Sequence, residues 1–145
     1  GKAWLDAAKR GDRGAMEKLL AEDVRVLSYD GKGCSLGFIG HTAMHWAAVG
    51  GDRTLMSWLL SLGADINARN NSEATPLPAA ASNGQAVSAS FLLEHGADAS
   101  LVNDDGESAA QLAAKQKRAD IEREIEKHRL ERQEAAGEPS VEADS

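Results

Sequence analysis

The sequence predicts an all-α helical solenoid of about four stacked helix-turn-helix units joined by long loops. Three observations predict it. Thr42, Thr75 and Ser108 share one register at a spacing of thirty-three residues. The pairs Ala47-Ala48, Ala80-Ala81 and Ala113-Ala114 share another. Leu59-Leu60 and Gly63-Ala64-Asp65 recur thirty-three residues later as Leu92-Leu93 and Gly96-Ala97-Asp98. A fixed period of this length marks units that cannot bury an apolar face alone and do so by stacking on their neighbours.

The elements follow in chain order. An opening unit fits at a spacing of forty: Ala7-Ala8 precede Ala47-Ala48, Gly11-Asp12 precede Gly51-Asp52, and Leu19-Leu20 precede Leu59-Leu60. In the second unit the spacing predicts helices over about 43–50 and 53–61, and in the third over about 76–82 and 86–95. Thr42 and Thr75 stand where a hydroxyl caps a helix start, and Pro76 at the favoured first helical position. Gly63 and Gly96 follow the second helices, where a left-handed residue ends a helix cheaply. Ala119 to about Gln133 holds no Gly or Pro, so the last helix is expected to run on past the usual stop. Ile121 and Ile125 face inward at i, i+4, Leu130 is an isolated addition, and most other positions are charged. A polar outer face suits a capping unit.

The expected organisation is therefore a degenerate opening unit with an extended finger loop at 1–36, full units at 37–70 and 71–103, and a closing unit with a charged helix at 104–133. Residues 134–145 carry Glu, Ala, Gly, Pro and Ser and read as a disordered acidic tail, or as a linker to a further domain. The chain opens on Gly1 rather than Met, as expected of a processed chain or a piece of a longer protein.

The run from Gly40 through His41-Thr42-Ala43-Met44-His45-Trp46-Ala47-Ala48 to Gly50-Gly51 resembles the ankyrin repeat signature. Leu59-Leu60-Ser61-Leu62-Gly63-Ala64-Asp65 resembles its second half, and residues 71–103 repeat the pattern around Thr75-Pro76-Leu77. The resemblance covers roughly residues 2–131. It implies recognition of other proteins through loop tips and the inner face of the first helices. It also implies that His45 joins a hydrogen-bond network between neighbouring fingers. Pro78 and Gln111 stand at that position in the third and fourth units, so the network is expected to be incomplete there. Finally, it implies that Asn67, in Asp65-Ile66-Asn67-Ala68, is a candidate substrate of an asparaginyl hydroxylase; the same side chain also suits a bond to the turn backbone.

Carried over by position, the resemblance implies partner contacts at Phe38, Ile39, His41 and Val49, at Asn71, Ser72 and Asn83, and at Asp104, Asp105 and Glu107. The first finger departs from the pattern: Leu20 to Thr42 spans seven more positions than Leu60 to Thr75. Its aromatic Tyr29 joins Phe38 and Ile39 as an expected source of specificity, because such side chains are costly to expose without a ligand. The expected partner segment carries an apolar anchor at one end and Lys or Arg at the other, complementing the three carboxylates.

Composition excludes several classes. A net charge of −7 argues against nucleic acid. No secretory signal or membrane-length apolar run is present. The single Cys34 forbids an internal disulfide and fits a reducing, cytoplasmic or nuclear setting. His41 and His45 lack the further ligands a metal needs. No Ser-His-Asp set, carboxylate pair or cofactor fingerprint stands out, so neither catalysis nor a cofactor is expected. The favoured function is a monomeric, non-catalytic protein-binding module. The alternatives are a regulatory or targeting domain of a larger enzyme and a structural spacer.

Overall fold

The computed structural model of the chain describes residues 2–28 and 41–144. They form four helix-turn-helix pairs: α1 Lys2–Arg10 with α2 Arg13–Glu22, α3 Ala43–Val49 with α4 Arg53–Ser61, α5 Pro76–Ser82 with α6 Ala86–Glu94, and α7 Ala109–Lys115 with α8 Ala119–Asp144. The helices stand where the period places them. A 3₁₀ helix, Val24–Ser28, follows α2 at the start of the extended first finger. Among the described residues the fingers contribute an isolated antiparallel bridge, Val102 to Ser108.

The first helices α1, α3, α5 and α7 stack in one row. Small side chains permit this close approach: Ala47, Ala48, Ala80, Ala81 and Ala113 are all buried. The core between the two rows comes from Leu55, Met56, Leu59, Leu77, Leu92 and their neighbours. Backbone acceptors at the helix ends are satisfied from the next unit. Gln85 donates to the Val49 carbonyl at 2.8 Å and Ser88 to Ala48 at 2.5 Å. Arg118 donates to Gly84 at 2.6 Å, and Arg132 to Ala97 at 3.0 Å. Asp12 and Asp52, in equivalent positions, cap α2 and α4 through Ala15 N–H and Leu55 N–H, each at 3.0 Å.

One departure from the repeat shows in the backbone. The turn between paired helices needs a left-handed residue, supplied by Gly51 and Gly84 at φ 70° and 67°. Lys117 fills the same place in the last unit at φ 58°, a conformation that a residue with a Cβ adopts at a cost.

The closing helix seats Ile121 and Ile125, both fully buried, while Leu130 stays 52% exposed. α8 continues to Asp144, so the backbone is helical through 134–144, where composition predicts a disordered tail. A helix already anchored by its first turns gains one backbone bond for each residue added, which favours extension.

Candidate partner-binding groove

The inner face is built from the first-helix row and the fingers that precede each helix. Thr42 opens α3 with a capping box: its hydroxyl accepts from His45 N–H, while His45 Nδ1 accepts from Thr42 N–H at 3.1 Å. His45 Nε2 lies 2.8 Å from the Ala74 carbonyl. A carbonyl only accepts, so Nε2 carries the proton and Nδ1 is the acceptor. This neutral imidazole ties the second finger to the third, as the resemblance implies.

The next finger lacks that tie. Pro78 is the third residue of α5 and has no N–H. Thr75 Oγ1 is thereby left without a donor and is buried with no hydrogen-bond partner, the residue being only 1% exposed. In the last unit Ser108 and Gln111 restore a reciprocal capping box.

A second polar frame passes unnoticed in the sequence. Asn70 and Asn103, thirty-three residues apart, organise the two fingers. Asn70 Oδ1 accepts from Ser72 N–H at 2.8 Å and Ala74 N–H at 3.0 Å. Asn103 Oδ1 accepts from Asp105 N–H and Glu107 N–H at 3.0 and 2.9 Å. Asp104 N–H donates to the Ser72 carbonyl at 2.8 Å and joins the fingers to each other. The shared spacing of the two asparagines is the signal that would have found them.

The candidate residues divide accordingly. Asn71, Ser72, Asp104 and Asp105 are exposed on the finger tips, and Asn83 is exposed at the end of α5. Val49 is half-buried, its carbonyl taken by Gln85. Glu107 is half-buried and already engaged by Asn103 and by an ion pair with Lys115, which holds its carboxyl below the usual range. The acidic finger therefore presents two free carboxylates rather than three. Tyr29, Phe38 and Ile39 lie outside the described residues. Asn67 is half-buried, and its Oδ1 accepts from Asp98 N–H of the next unit at 3.1 Å.

His41 is the main correction. Position in the repeat predicts an exposed contact; the structure leaves it 5% exposed. Its ring stacks on His45 with centroids 4.8 Å apart and meets the edge of Trp46 at 4.7 Å. Asn70 Nδ2 donates to His41 Nδ1 at 3.1 Å. Burial, with His45 adjacent, lowers the imidazole pKa to about 3, so it is neutral. The ring borders the groove as part of its frame.

Between the fingers and α5 lies a hollow of about 300 Å³, lined by Asn70, Pro78, Ser82, Asn83, Glu107 and Leu112 among others. It combines apolar floor with polar rim, the usual character of a recognition surface. Among the described residues there is no cluster of three metal-ligating side chains, and no helix is long and apolar enough to cross a membrane.

Comparisons with known proteins agree with this architecture. Residues 54–128 match the family model described as ankyrin repeats, three copies. The chain is 37% identical over 109 residues to protein phosphatase 1 regulatory subunit 27 of Mus musculus, covering 75% of this chain and 67% of that protein. It is 37% identical over 111 residues to ankyrin repeat and SOCS box protein 11 of Danio rerio, covering 77% of this chain and 35% of that one. It is 36% identical over 75 residues to the E3 ubiquitin-protein ligase KEG of Arabidopsis thaliana, covering 52% of this chain and 5% of the ligase.

Proposed function

The chain belongs to the ankyrin repeat family, and from that premise we propose that it is a non-catalytic module that grips a segment of a partner protein in its inner groove and finger tips. The observation that carries the reading is the rigid frame beneath exposed tips. His45, Asn70 and Asn103 fix the fingers, while Asn71, Ser72, Asp104 and Asp105 stay free in solvent. Pre-organised loops lose little conformational freedom on binding. The two free carboxylates favour a ligand with Lys or Arg at that end, and Tyr29, Phe38 and Ile39 supply the apolar anchor site of the first finger. The module acts as a monomer inside the cell, in cytoplasm or nucleus, a setting that the lone Cys34 suits.

A second reading has its own support. The relatives include a ligase and a phosphatase regulatory subunit, and the chain spans only 5% of the former. The same groove would then position a catalytic domain on its target.

Asp104 and Asp105 make the test, because Glu107 is structural. Capture of a candidate partner by the chain is compared with capture by the D104K/D105K variant. A loss of about tenfold at unchanged melting temperature supports the groove. Equal capture removes the acidic finger from the site.

A further inference from the structure

The outer face carries a cleft that the inner-groove reading does not use. Its volume is about 710 Å³, more than twice that of the inner hollow of about 300 Å³. It opens over α4, which touches α6 only lightly, whereas α6 and α8 pack closely. Arg53, Thr54, Ser57, Trp58 and Ser61 line it from α4, Arg13 from the start of α2, and Phe91 and His95 from α6 and its end.

Four of these side chains, Arg13, Trp58, Phe91 and His95, are held by their neighbours. Trp58 is half-buried, since Leu55, Met56 and Leu59 take the core side of α4. Its ring lies 6.2 Å from Trp4 on one side and under the Arg13 guanidinium at 4.9 Å on the other. Arg13 is braced by Glu17 at 2.9 Å. His95 stacks on Phe91 at 4.0 Å, and its Nδ1 donates to the Phe91 carbonyl at 2.8 Å. Arg53 makes no ion pair or hydrogen bond among the described residues, and its guanidinium is free. The cleft continues past Phe91 into a smaller hollow beside Val87, which is 52% exposed, and ends at Glu94.

The sign of the charge identifies the occupant. The chain has 23 acidic and 16 basic residues, yet no carboxylate lines the main cleft and two guanidinium groups do. An aromatic floor beside two exposed guanidinium groups, Arg13 paired with Glu17 and Arg53 unpaired among the described residues, suits an aromatic side chain flanked by carboxylates, and disfavours Lys and Arg. We propose that this outer cleft is a second docking site, for a segment of a partner protein in which an aromatic residue is flanked by Asp or Glu. The acids sit beside Arg13 and Arg53, with the aromatic side chain against Trp58. The two faces then select ligands of opposite charge.

The test is a titration of the whole chain, by amide and indole NMR, with the capped peptide acetyl-Asp-Glu-Phe-Glu-Asp-amide. A second peptide replaces every acid by Lys. The expected result is movement of the Trp58 indole and the Thr54 and Ser57 amides with the acidic peptide alone. Arg53→Gln should weaken that binding about fivefold, and the R13Q/R53Q pair should weaken it further. The D104K/D105K variant should bind the acidic peptide as the parent does, which separates this site from the inner groove. Three outcomes overturn the proposal: no movement at Trp58 with millimolar peptide, equal movement with the Lys peptide, or movement confined to the inner face. Concentration-dependent shifts at the same residues without peptide also overturn it, by assigning the cleft to a second copy of the chain.

Discussion

Single side chains decide where this stack is strong and where it is weak. Thr42 with His45 and Thr75 with Pro78 occupy the same two places one unit apart, and only the first pair completes its bonds. Pro78→His returns an N–H to Thr75 Oγ1 and aims an imidazole at the Glu107 carbonyl, the counterpart of Ala74. A cap and one such bond are together worth about 2 kcal/mol. Losing the proline's restriction of the unfolded chain costs about 0.5–1 kcal/mol. The expected net gain is about 1 kcal/mol, read as a higher urea midpoint; a lower midpoint would show that the proline packs better than the bonds repay. His41 supplies a pH dependence. Its folded pKa, about 3, lies below the unfolded value of about 6.5. The unfolded chain therefore binds the extra proton, and the stabilisation is complete above pH 6.5 and lost as pH falls toward 3. Stability should decline by up to about 1.4 kcal/mol per pH unit through this window. Denaturant titrations at pH 7, 6 and 5 check it, and His41→Phe should flatten the slope.

The helices carry information that the side-chain bonds do not. α8 is anchored by two isoleucines, and burial separates them from Leu130 on the same helix. Ile121→Ala or Ile125→Ala should cost about 2–4 kcal/mol, through lost burial and the cavity left behind. Leu130→Ala should stay within about 0.5 kcal/mol. Comparable losses at all three would mean that Leu130 is covered in solution. Element positions were legible in the sequence because periodic apolar residues, hydroxyl caps and terminal glycines all agree there. The inner groove was legible in part. Asn71, Ser72, Asp104 and Asp105 are exposed where the repeat places them, since finger tips depend on local turn chemistry. The burial of His41 was not legible, because Asn70 comes from the next unit and no local pattern joins the two. The outer cleft follows the repeat without being read from it: Trp58 and Phe91 stand thirty-three residues apart and Arg13 and Arg53 forty apart, but the opening between them exists only once three second helices are set side by side.

At the scale of the molecule, a solenoid is stable through interfaces between neighbours, so an end unit matters for what it covers. α8 lies on α6 and buries Ile121 and Ile125. Ser90 donates to Glu124 at 2.7 Å across the same interface. Arg118 and Arg132 reach back to the carbonyls of Gly84 and Ala97. Ending the chain after residue 118 removes all of these except the Arg118 bond. It leaves the third unit with an apolar side in water. That truncation should lower the urea midpoint sharply and broaden the transition, because an uncapped end opens before the rest. Ending the chain after residue 133 keeps every anchor named above. Its stability should stay within about 0.5 kcal/mol of the full chain. The pair of truncations separates two roles for α8. A sharp loss at 118 with none at 133 makes the helix a cap whose first four turns suffice. An unchanged midpoint at 118 would make it an appendage that leaves the stack independent of it, and its charged surface would then be sought as a contact for a partner.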